Sequence, residues 1–99
     1  MILIHISVKT KDDVVSEFEQ NLRQVVADAL KTTGCVEYEW YRVPDSPREY
    51  VIYGEFDSKE NFENYLNSAV VKRIGDELIP LLDAPPKFKH LEATILETS

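Results

Sequence analysis

The first positions of the chain alternate between strongly apolar residues and residues of mixed character. The apolar set is Ile2, Ile4, Ile6 and Val8, and His5 lies among the residues that point the other way. A period of two is typical of a β-strand with one buried face. The pattern therefore predicts a strand at the start of the sequence.

Apolar residues next recur at steps of three and four, which is the spacing of an amphipathic helix with one buried side. The set is Val15, Phe18, Leu22, Val25, Val26, Ala29 and Leu30. Asp12 or Asp13 is placed favourably near the N-terminus of this helix. Gly34 is the expected stop at its C-terminus.

A second helical region has the same spacing. Its apolar positions are Phe62, Leu66, Val70, Ile74, Leu78 and Ile79. We expect Asp57 or Ser58 to cap its start, with Glu60 completing a capping box with Asp57. The region is expected to break into two pieces at Ser68 and to end at the prolines that follow it.

Three further strands are predicted over residues 36–43, 50–56 and 88–96, with a proline-rich turn at 44–47 between the first two. The resulting order is β-α-β-β-α-β. This order predicts an α+β, ferredoxin-like fold with a four-stranded antiparallel sheet, in which the strands lie in the order 4-1-3-2.

Composition narrows the range of partners. The 99 residues are expected to form one domain, residues 1–99. The net charge of −7 disfavours a nucleic-acid partner, and no apolar run approaches the roughly 20 residues that cross a bilayer. The single cysteine, Cys35, fits a reducing cytoplasm. Three glycines offer little from which to build a phosphate-binding loop, so no cofactor is expected.

Large apolar and aromatic residues occur on both faces of the predicted sheet. The set is Leu3, Tyr38, Trp40, Tyr41, Tyr50, Tyr53, Phe56 and Phe88. Two helices cover only one face, so a monomer would expose much of this set, and such a patch marks an interface. We therefore expect a homodimer with a pocket between sheet and helices. The alternative is that these side chains form amphipathic rims on a monomer.

Five features together resemble the antibiotic biosynthesis monooxygenase (ABM) domain family. They are the Gly34-Cys35 pair, Tyr38, the 44–47 hairpin, the 50–56 strand and the segment 61–68. The likeness runs from Ile2 to about Leu96. It implies a dimeric α/β barrel built from ferredoxin-like protomers. It also implies cofactor-independent oxidation of phenolic or quinol substrates, haem degradation or a small isomerisation.

Several positions depart from the ABM pattern. A helix histidine of many members corresponds to Tyr65 in this chain, and a second one corresponds to Val70. The usual strand-end tryptophan is Phe56, and the acidic residue two positions before it falls at Gly54. Haem-degrading relatives need an axial histidine where this chain has Gly75. The resemblance thus argues against haem degradation and leaves cofactor-free oxygenation open.

The chain has two histidines, and each is a candidate site residue. His5 is expected to point into the space between two sheets, where an imidazole can abstract a phenolic proton. The alternative is a hydrogen-bonded histidine in the sheet or at the dimer interface.

His90 lies in the last strand, which is beside the first strand, so we expect His5 and His90 to approach each other. The alternative is that His90 is a solvated edge residue. Glu92 alone is in phase as a third ligand, so no metal site is predicted.

Flat aromatic side chains complete the candidate site. Trp40, Tyr53 and Phe56 are expected to bind substrate with His90, and Tyr65 is expected to act with His5 in catalysis. The alternative for the aromatic set is core and interface packing.

The sequence favours a cytoplasmic homodimer that acts as a cofactor-independent monooxygenase on a small aromatic or quinol-like molecule. A non-catalytic small-molecule-binding or structural homodimer, and an isomerase or lyase on the same barrel, stay open.

Overall fold

A computed structural model of the chain describes residues 1–98, so position 99 of the predicted domain lies outside the described part. The elements are β1 (Ile2–Lys9), α1 (Val15–Ala29), β2 (Cys35–Arg42), β3 (Glu49–Phe56), α2 (Lys59–Leu66), α3 (Ala69–Arg73) and β4 (Lys87–Glu92). A π-helical turn, Ile74–Leu78, extends α3, and 3-10 turns cover Asp12–Val14 and Ile79–Leu81. The predicted order of elements is confirmed, and so is the break in the second helical region at Ser68.

The four strands form one antiparallel sheet in the order β2-β3-β1-β4, which confirms the predicted order. Ile4 on β1 lies between Gly54 on β3 and His90 on β4. Residues in register share a face of the sheet, so the side chains of Ile4 and His90 project to the same side. The architecture is the expected α+β, ferredoxin-like fold.

The helices cover one face of the sheet and enclose the core. Its buried members are Ile2, Ile4, Ile6, Val8, Phe18, Leu22, Val25, Ala29, Tyr38, Tyr50, Ile52, Phe56, Phe62, Tyr65, Val70, Ile74, Leu78 and Leu82. Even-numbered residues of β1 and β3 face the helices, as the alternation predicts for β1. The opposite side of the sheet has no helix against it in residues 1–98, and we call it the open face.

The cap of α2 differs from the predicted capping box. The Ser58 side chain accepts a hydrogen bond from the Asn61 backbone N–H at 3.1 Å, and Ser58 has the extended backbone of an N-cap residue. Asp57 instead accepts a bond from the Asn61 side-chain amide at 2.8 Å. The Asp57–Glu60 box is therefore wrong, because the helix begins one residue later than that box requires.

The ends of α1 and β4 also test the predicted boundaries. Gly34 has a φ of +81° in the turn that leads to β2. The helix itself ends earlier, at Ala29 with Leu30 as its C-cap, so the predicted stop at Gly34 is wrong. The last strand ends at Glu92 and does not reach Leu96. The last pair between β1 and β4 is Ile2 with Glu92, and beyond it the Ala93 N–H donates to the Met1 carbonyl at 2.8 Å. The predicted extension of this strand is therefore wrong.

Candidate functional site

A cavity of about 190 Å³ lies between the sheet and the helical region that follows β3. Its lining residues are Ile4, Ile6, Tyr65, Leu66, Val71, Ile74, Gly75, Ile79, Phe88 and His90. Almost all of these are apolar, and the lining comes from β1, β4, α2, α3, the π-helical turn and the 3-10 turn that follows it. A concave apolar site with few polar groups is the usual form of a small-molecule site.

The strand side of the cavity is set by sheet register. Ile4 pairs with His90, and Ile6 pairs with Phe88, so all four side chains project toward the helices. Their order follows from the period of two on both strands. Because β4 is an edge strand, Phe88 and His90 are exposed and lie at the mouth of the cavity, on the helix side of the sheet.

The helical wall of the cavity includes a glycine, Gly75, which leaves open space where another residue would place a side chain. Gly75 lies within the π-helical turn, and a Cβ added there would meet no atom within 4 Å. A glycine inside a helix costs about 1 kcal/mol relative to alanine. Single π-helical turns are frequent at functional sites, so the open space at Gly75 marks this wall as a candidate ligand contact.

His90 is the one imidazole at the cavity. Its ring packs edge-on against Phe62, with centroids 5.0 Å apart and planes at 74°, and it lies 6.3 Å from the Phe88 ring. These two aromatic neighbours restrict the imidazole to the rim of the cavity. An imidazole so placed can accept a proton from a bound hydroxyl group, which is its commonest role in catalysis.

Tyr65 contributes a ring to the cavity, and its hydroxyl is occupied elsewhere. The Tyr65 and Tyr38 hydroxyls lie 2.6 Å apart in the core, and Tyr38 does not line the cavity. Burial is the main cause that raises the pKa of Tyr65 to about 12, and burial also raises the pKa of Tyr38. Both hydroxyls therefore stay protonated near neutral pH, which does not suit Tyr65 to the role of base.

The structure places His5 away from this cavity. His5 pairs with Tyr53 and Lys89, so its side chain projects from the open face together with theirs. His90 projects to the helix side, so the two histidines lie on opposite faces of adjacent strands. The expectation that His5 and His90 approach each other is wrong, because their positions on paired strands are out of phase.

The predicted aromatic wall is also divided. Phe56 is fully buried in the core beside Tyr65, with ring centroids 4.7 Å apart, and does not line the cavity. Trp40 lies near α1, where the guanidinium groups of Arg23 and Arg42 are 5.2 Å and 5.1 Å from its ring. Tyr53 is on the open face and donates a hydrogen bond to Glu55 at 2.5 Å.

Tyr65 and His90 are thus the two predicted site residues that the cavity brings together. The aliphatic lining from Val71, Ile74 and Ile79 has no distinct signal in the sequence, because such residues have the pattern of ordinary core positions. One signal was available. Gly75 interrupts a helical pattern at a cost of about 1 kcal/mol relative to alanine.

The described residues offer little for other chemistry. Within residues 1–98, no group of three or more His, Cys, Asp or Glu side chains has the arrangement of a metal site. Burial raises the pKa of the Cys35 thiol, so this cysteine is not an activated nucleophile. In the same part of the chain, no helix is both long and apolar enough to cross a membrane.

Comparison with known proteins identifies the family. Residues 1–77 match the family model described as antibiotic biosynthesis monooxygenase, and the chain belongs to this ABM family. This confirms the resemblance drawn from the residues. None of the curated proteins compared with the chain matches it.

Three solved structures illustrate the shared fold. A candidate antibiotic biosynthesis monooxygenase from Deinococcus radiodurans superposes with a TM-score of 0.90 at 18% identity, covering 100% of this chain and 98% of that one. Rv0793 from Mycobacterium tuberculosis gives 0.86 at 19%, covering 99% and 98%. A conserved protein from Methanosarcina mazei Go1 gives 0.87 at 20%, covering 94% and 92%. At these identities the likeness establishes the fold.

Proposed function

We propose that this protein is a homodimer that binds a small apolar or aromatic molecule in the sheet–helix cavity and oxidises it with molecular oxygen. The observation that carries the proposal is the cavity itself, whose nearly apolar walls end at one imidazole, that of His90. Membership of a family described as monooxygenases supports the reaction type. No metal or organic cofactor takes part in the proposed reaction.

The apolar walls suit an apolar substrate that itself supplies the electrons that reduce O₂. In the proposed reaction, His90 accepts a proton from a phenol or from an acidic C–H beside an aromatic ring. The anion gives an electron to O₂, the two radicals join in a C–O bond, and protonated His90 returns its proton to the resulting peroxide anion. The hydroperoxide then loses water with the hydrogen of the carbon that carries it, which leaves a carbonyl. One oxygen atom enters the product and the other leaves as water, so no external reductant is needed.

Each cavity residue has a separate part in this proposal. Ile4, Ile6 and Ile74 exclude water and hold the flat part of the substrate. The ring of Tyr65 forms part of one wall, and its protonated hydroxyl remains hydrogen-bonded to the Tyr38 hydroxyl. His90 is the catalytic residue in this scheme, and it replaces His5, which projects from the other side of the sheet.

The homodimer in the proposal is supported by the open face. Half-buried and exposed side chains of apolar or aromatic character lie across all four strands there: Leu3, Tyr41, Val51, Tyr53 and Leu91. A sheet face of this composition is usually covered in a folded assembly. A second copy of the chain supplies a matching face by symmetry.

One observation favours a second candidate function, binding without catalysis. The Tyr65 hydroxyl is engaged by Tyr38, so His90 is the one side chain with a free polar group at the cavity within residues 1–98. A cavity of this kind can hold an apolar molecule without changing it. The proposed oxygenation and simple binding differ in whether oxygen is consumed.

The two histidines offer a matched test. We would measure oxygen uptake with anthrone and with 1,4-naphthoquinol, using the protein and its His90→Gln and His5→Gln variants. The proposal expects turnover by the protein and by His5→Gln, and a fall of roughly a hundredfold in kcat for His90→Gln. Full turnover by His90→Gln would contradict the assignment. Binding of either probe without any oxygen uptake would establish the binding function.

A further inference from the structure

A second cavity, of about 170 Å³, lies beside the sheet–helix cavity. We call it the side cavity, and its lining residues are Ile2, Lys59, Phe62, His90, Leu91 and Glu92. His90 lines both cavities, so the two spaces adjoin at the imidazole. A ligand held in the sheet–helix cavity therefore has room to extend past His90 into the side cavity.

Sheet register explains why the two cavities are neighbours. Three successive pairs of β1 and β4 residues project toward the helices: Ile6 with Phe88, Ile4 with His90, and Ile2 with Glu92. The sheet–helix cavity lies over the first two pairs, and the side cavity extends from His90 over the third. Both cavities thus follow the same edge of the sheet, with the imidazole between them.

The two cavities differ in the polar groups that they offer. The walls of the sheet–helix cavity are nearly all apolar, whereas the side cavity includes the ammonium group of Lys59 and the carboxylate of Glu92. Within residues 1–98, neither of these charged groups forms an ion pair. The side cavity therefore offers an unpaired charge to a ligand whose flat part lies in the apolar cavity.

Helix α2 places Lys59 near the imidazole. Lys59 is the first residue of α2, and Phe62 lies three residues later, so their side chains are neighbours on the helix surface. The Phe62 ring in turn packs edge-on against His90, with centroids 5.0 Å apart. The stem of a lysine packs along such an apolar ring while its ammonium group stays in water. Phe62 thus joins Lys59 and His90 in one wall of the side cavity.

The polar groups of the side cavity favour an anionic ligand group. Lys59 is cationic, and His90 becomes cationic when it accepts the proton in the proposed reaction. A carboxylate accepts strong hydrogen bonds from both kinds of group, whereas a cationic substituent would be repelled by both. Glu92 opposes an anion, so its removal is expected to strengthen the same interaction.

We infer that the protein selects aromatic molecules that carry a carboxylate on a short side chain, and that Lys59 binds this carboxylate in the side cavity. The inference rests on the proposed function and adds the class of substrate. In this arrangement Lys59 determines specificity, and the proton transfer stays with His90.

A matched pair of ligands tests the preference for a carboxylate. We would measure the dissociation constants of 1-naphthylacetate and 1-naphthylacetamide by isothermal titration calorimetry, because the two ligands have nearly the same shape and differ in charge. The unaltered protein is expected to bind the carboxylate about fivefold more tightly, which is the scale of a solvent-accessible ion pair. Equal affinity for the two ligands would overturn the inference.

Variants of the two charged residues are expected to act in opposite directions. Lys59→Gln is expected to weaken carboxylate binding by about fivefold and to leave amide binding unchanged, while Lys59→Arg keeps the preference. Glu92→Gln is expected to strengthen carboxylate binding by about twofold. Lys31→Gln is the matched control, since Lys31 is exposed and lies outside both linings. A preference that survives in Lys59→Gln would overturn the role of Lys59.

Methyl NMR locates the carboxylate independently of affinity. The Ile2 methyl group reports on the side cavity, and the Ile4 methyl group reports on the sheet–helix cavity. We expect 1-naphthylacetate to shift both signals and 1-naphthol to shift chiefly that of Ile4. A shift of Ile4 without Ile2 on addition of 1-naphthylacetate would overturn the assigned position.

The same titrations separate this inference from the proposed function. Neither ligand has to be oxidised in them, and oxygen uptake with anthrone is measured separately. A lost carboxylate preference with intact oxygen uptake would overturn the role of Lys59 and leave the oxygenation standing. If neither naphthyl ligand binds, both the carboxylate site and the proposed substrate cavity are overturned.

Discussion

The Tyr38 hydroxyl lies 2.6 Å from the Tyr65 hydroxyl in the core, and this bond ties the edge strand β2 to helix α2. If one hydroxyl is removed, the other remains buried without its partner. We expect Tyr65→Phe to lower the free energy of unfolding by about 1–3 kcal/mol, measured by urea denaturation. An unchanged midpoint would contradict a structural role for the pair.

The corresponding double variant separates the bond from the two side chains. Tyr38→Phe combined with Tyr65→Phe leaves no buried hydroxyl unpaired, so its loss of stability is expected to be smaller than the sum of the two single losses. Strictly additive losses in the same denaturation experiment would show that the two hydroxyls act independently.

Two serines provide a matched test of helix capping. Ser58 caps α2 through the Asn61 N–H, whereas Ser68 precedes α3 with no side-chain cap bond and a buried, unpartnered hydroxyl within the described residues. We expect Ser58→Ala to cost about 1 kcal/mol of unfolding free energy and Ser68→Ala to cost less than about 0.5 kcal/mol. Equal losses in thermal denaturation would contradict the assigned caps.

Two glycines provide a similar comparison of packing. A Cβ at Gly54 would lie 2.9 Å from side-chain atoms of Ile4 and of Tyr38, whereas a Cβ at Gly75 would meet nothing within 4 Å. Gly54→Ala is therefore expected to lower the free energy of unfolding by about 1–3 kcal/mol. Gly75→Ala is expected to keep or raise it, because alanine is the better helix former. The reverse order would show that the two sites are packed differently.

Acid sensitivity is expected to depend on Glu19. Hydrogen bonds from Arg42 at 2.6 Å and 3.1 Å are the main cause that lowers the pKa of this carboxyl below 4.5, and the Tyr50 hydroxyl at 2.7 Å adds to the effect. The folded state thus binds the proton less readily than the unfolded state. The resulting stability is present above pH 4.5 and is lost as the pH falls through the folded pKa.

Glu19→Gln is therefore expected to be less stable than the unaltered protein at pH 7, with the difference shrinking below about pH 4.5. Urea denaturation at a series of pH values measures this difference. Glu17→Gln is the control, since Glu17 is exposed on the same helix and forms no ion pair within residues 1–98. A Glu19→Gln difference that is independent of pH would contradict the linkage.

Local patterns predicted much of the fold because their causes are local. The alternation in β1 follows from the period of two along a strand. The three- and four-residue spacing around Phe18 and Leu22 follows from the period of 3.6 along a helix, and both periods are set by the local backbone. Gly34 adopts a positive φ in the turn that leads from α1 into β2, a conformation that favours glycine. The end of β4 was misjudged because it depends on where β1 begins, which is a contact between distant parts of the chain.

The candidate site was less accessible to sequence reasoning. His5 and His90 occur in similar apolar strands, and only the register between β1 and β4 places them on opposite faces. The cavity also depends on what is missing, since Gly75 leaves space that no pattern of apolar residues reveals. The ABM resemblance predicted the scaffold correctly, while the departures from it left the reacting residue open.

The most direct test of the account is methyl NMR during a titration with 1-naphthol. We predict that the methyl signals of Ile4, Ile6, Ile74 and Ile79 shift in a saturable way, because these residues line the cavity. Leu3, Val51 and Leu91 lie on the open face, and their signals are expected to move little. Saturable shifts confined to Leu3, Val51 and Leu91 would place the ligand on the open face and contradict the assigned site.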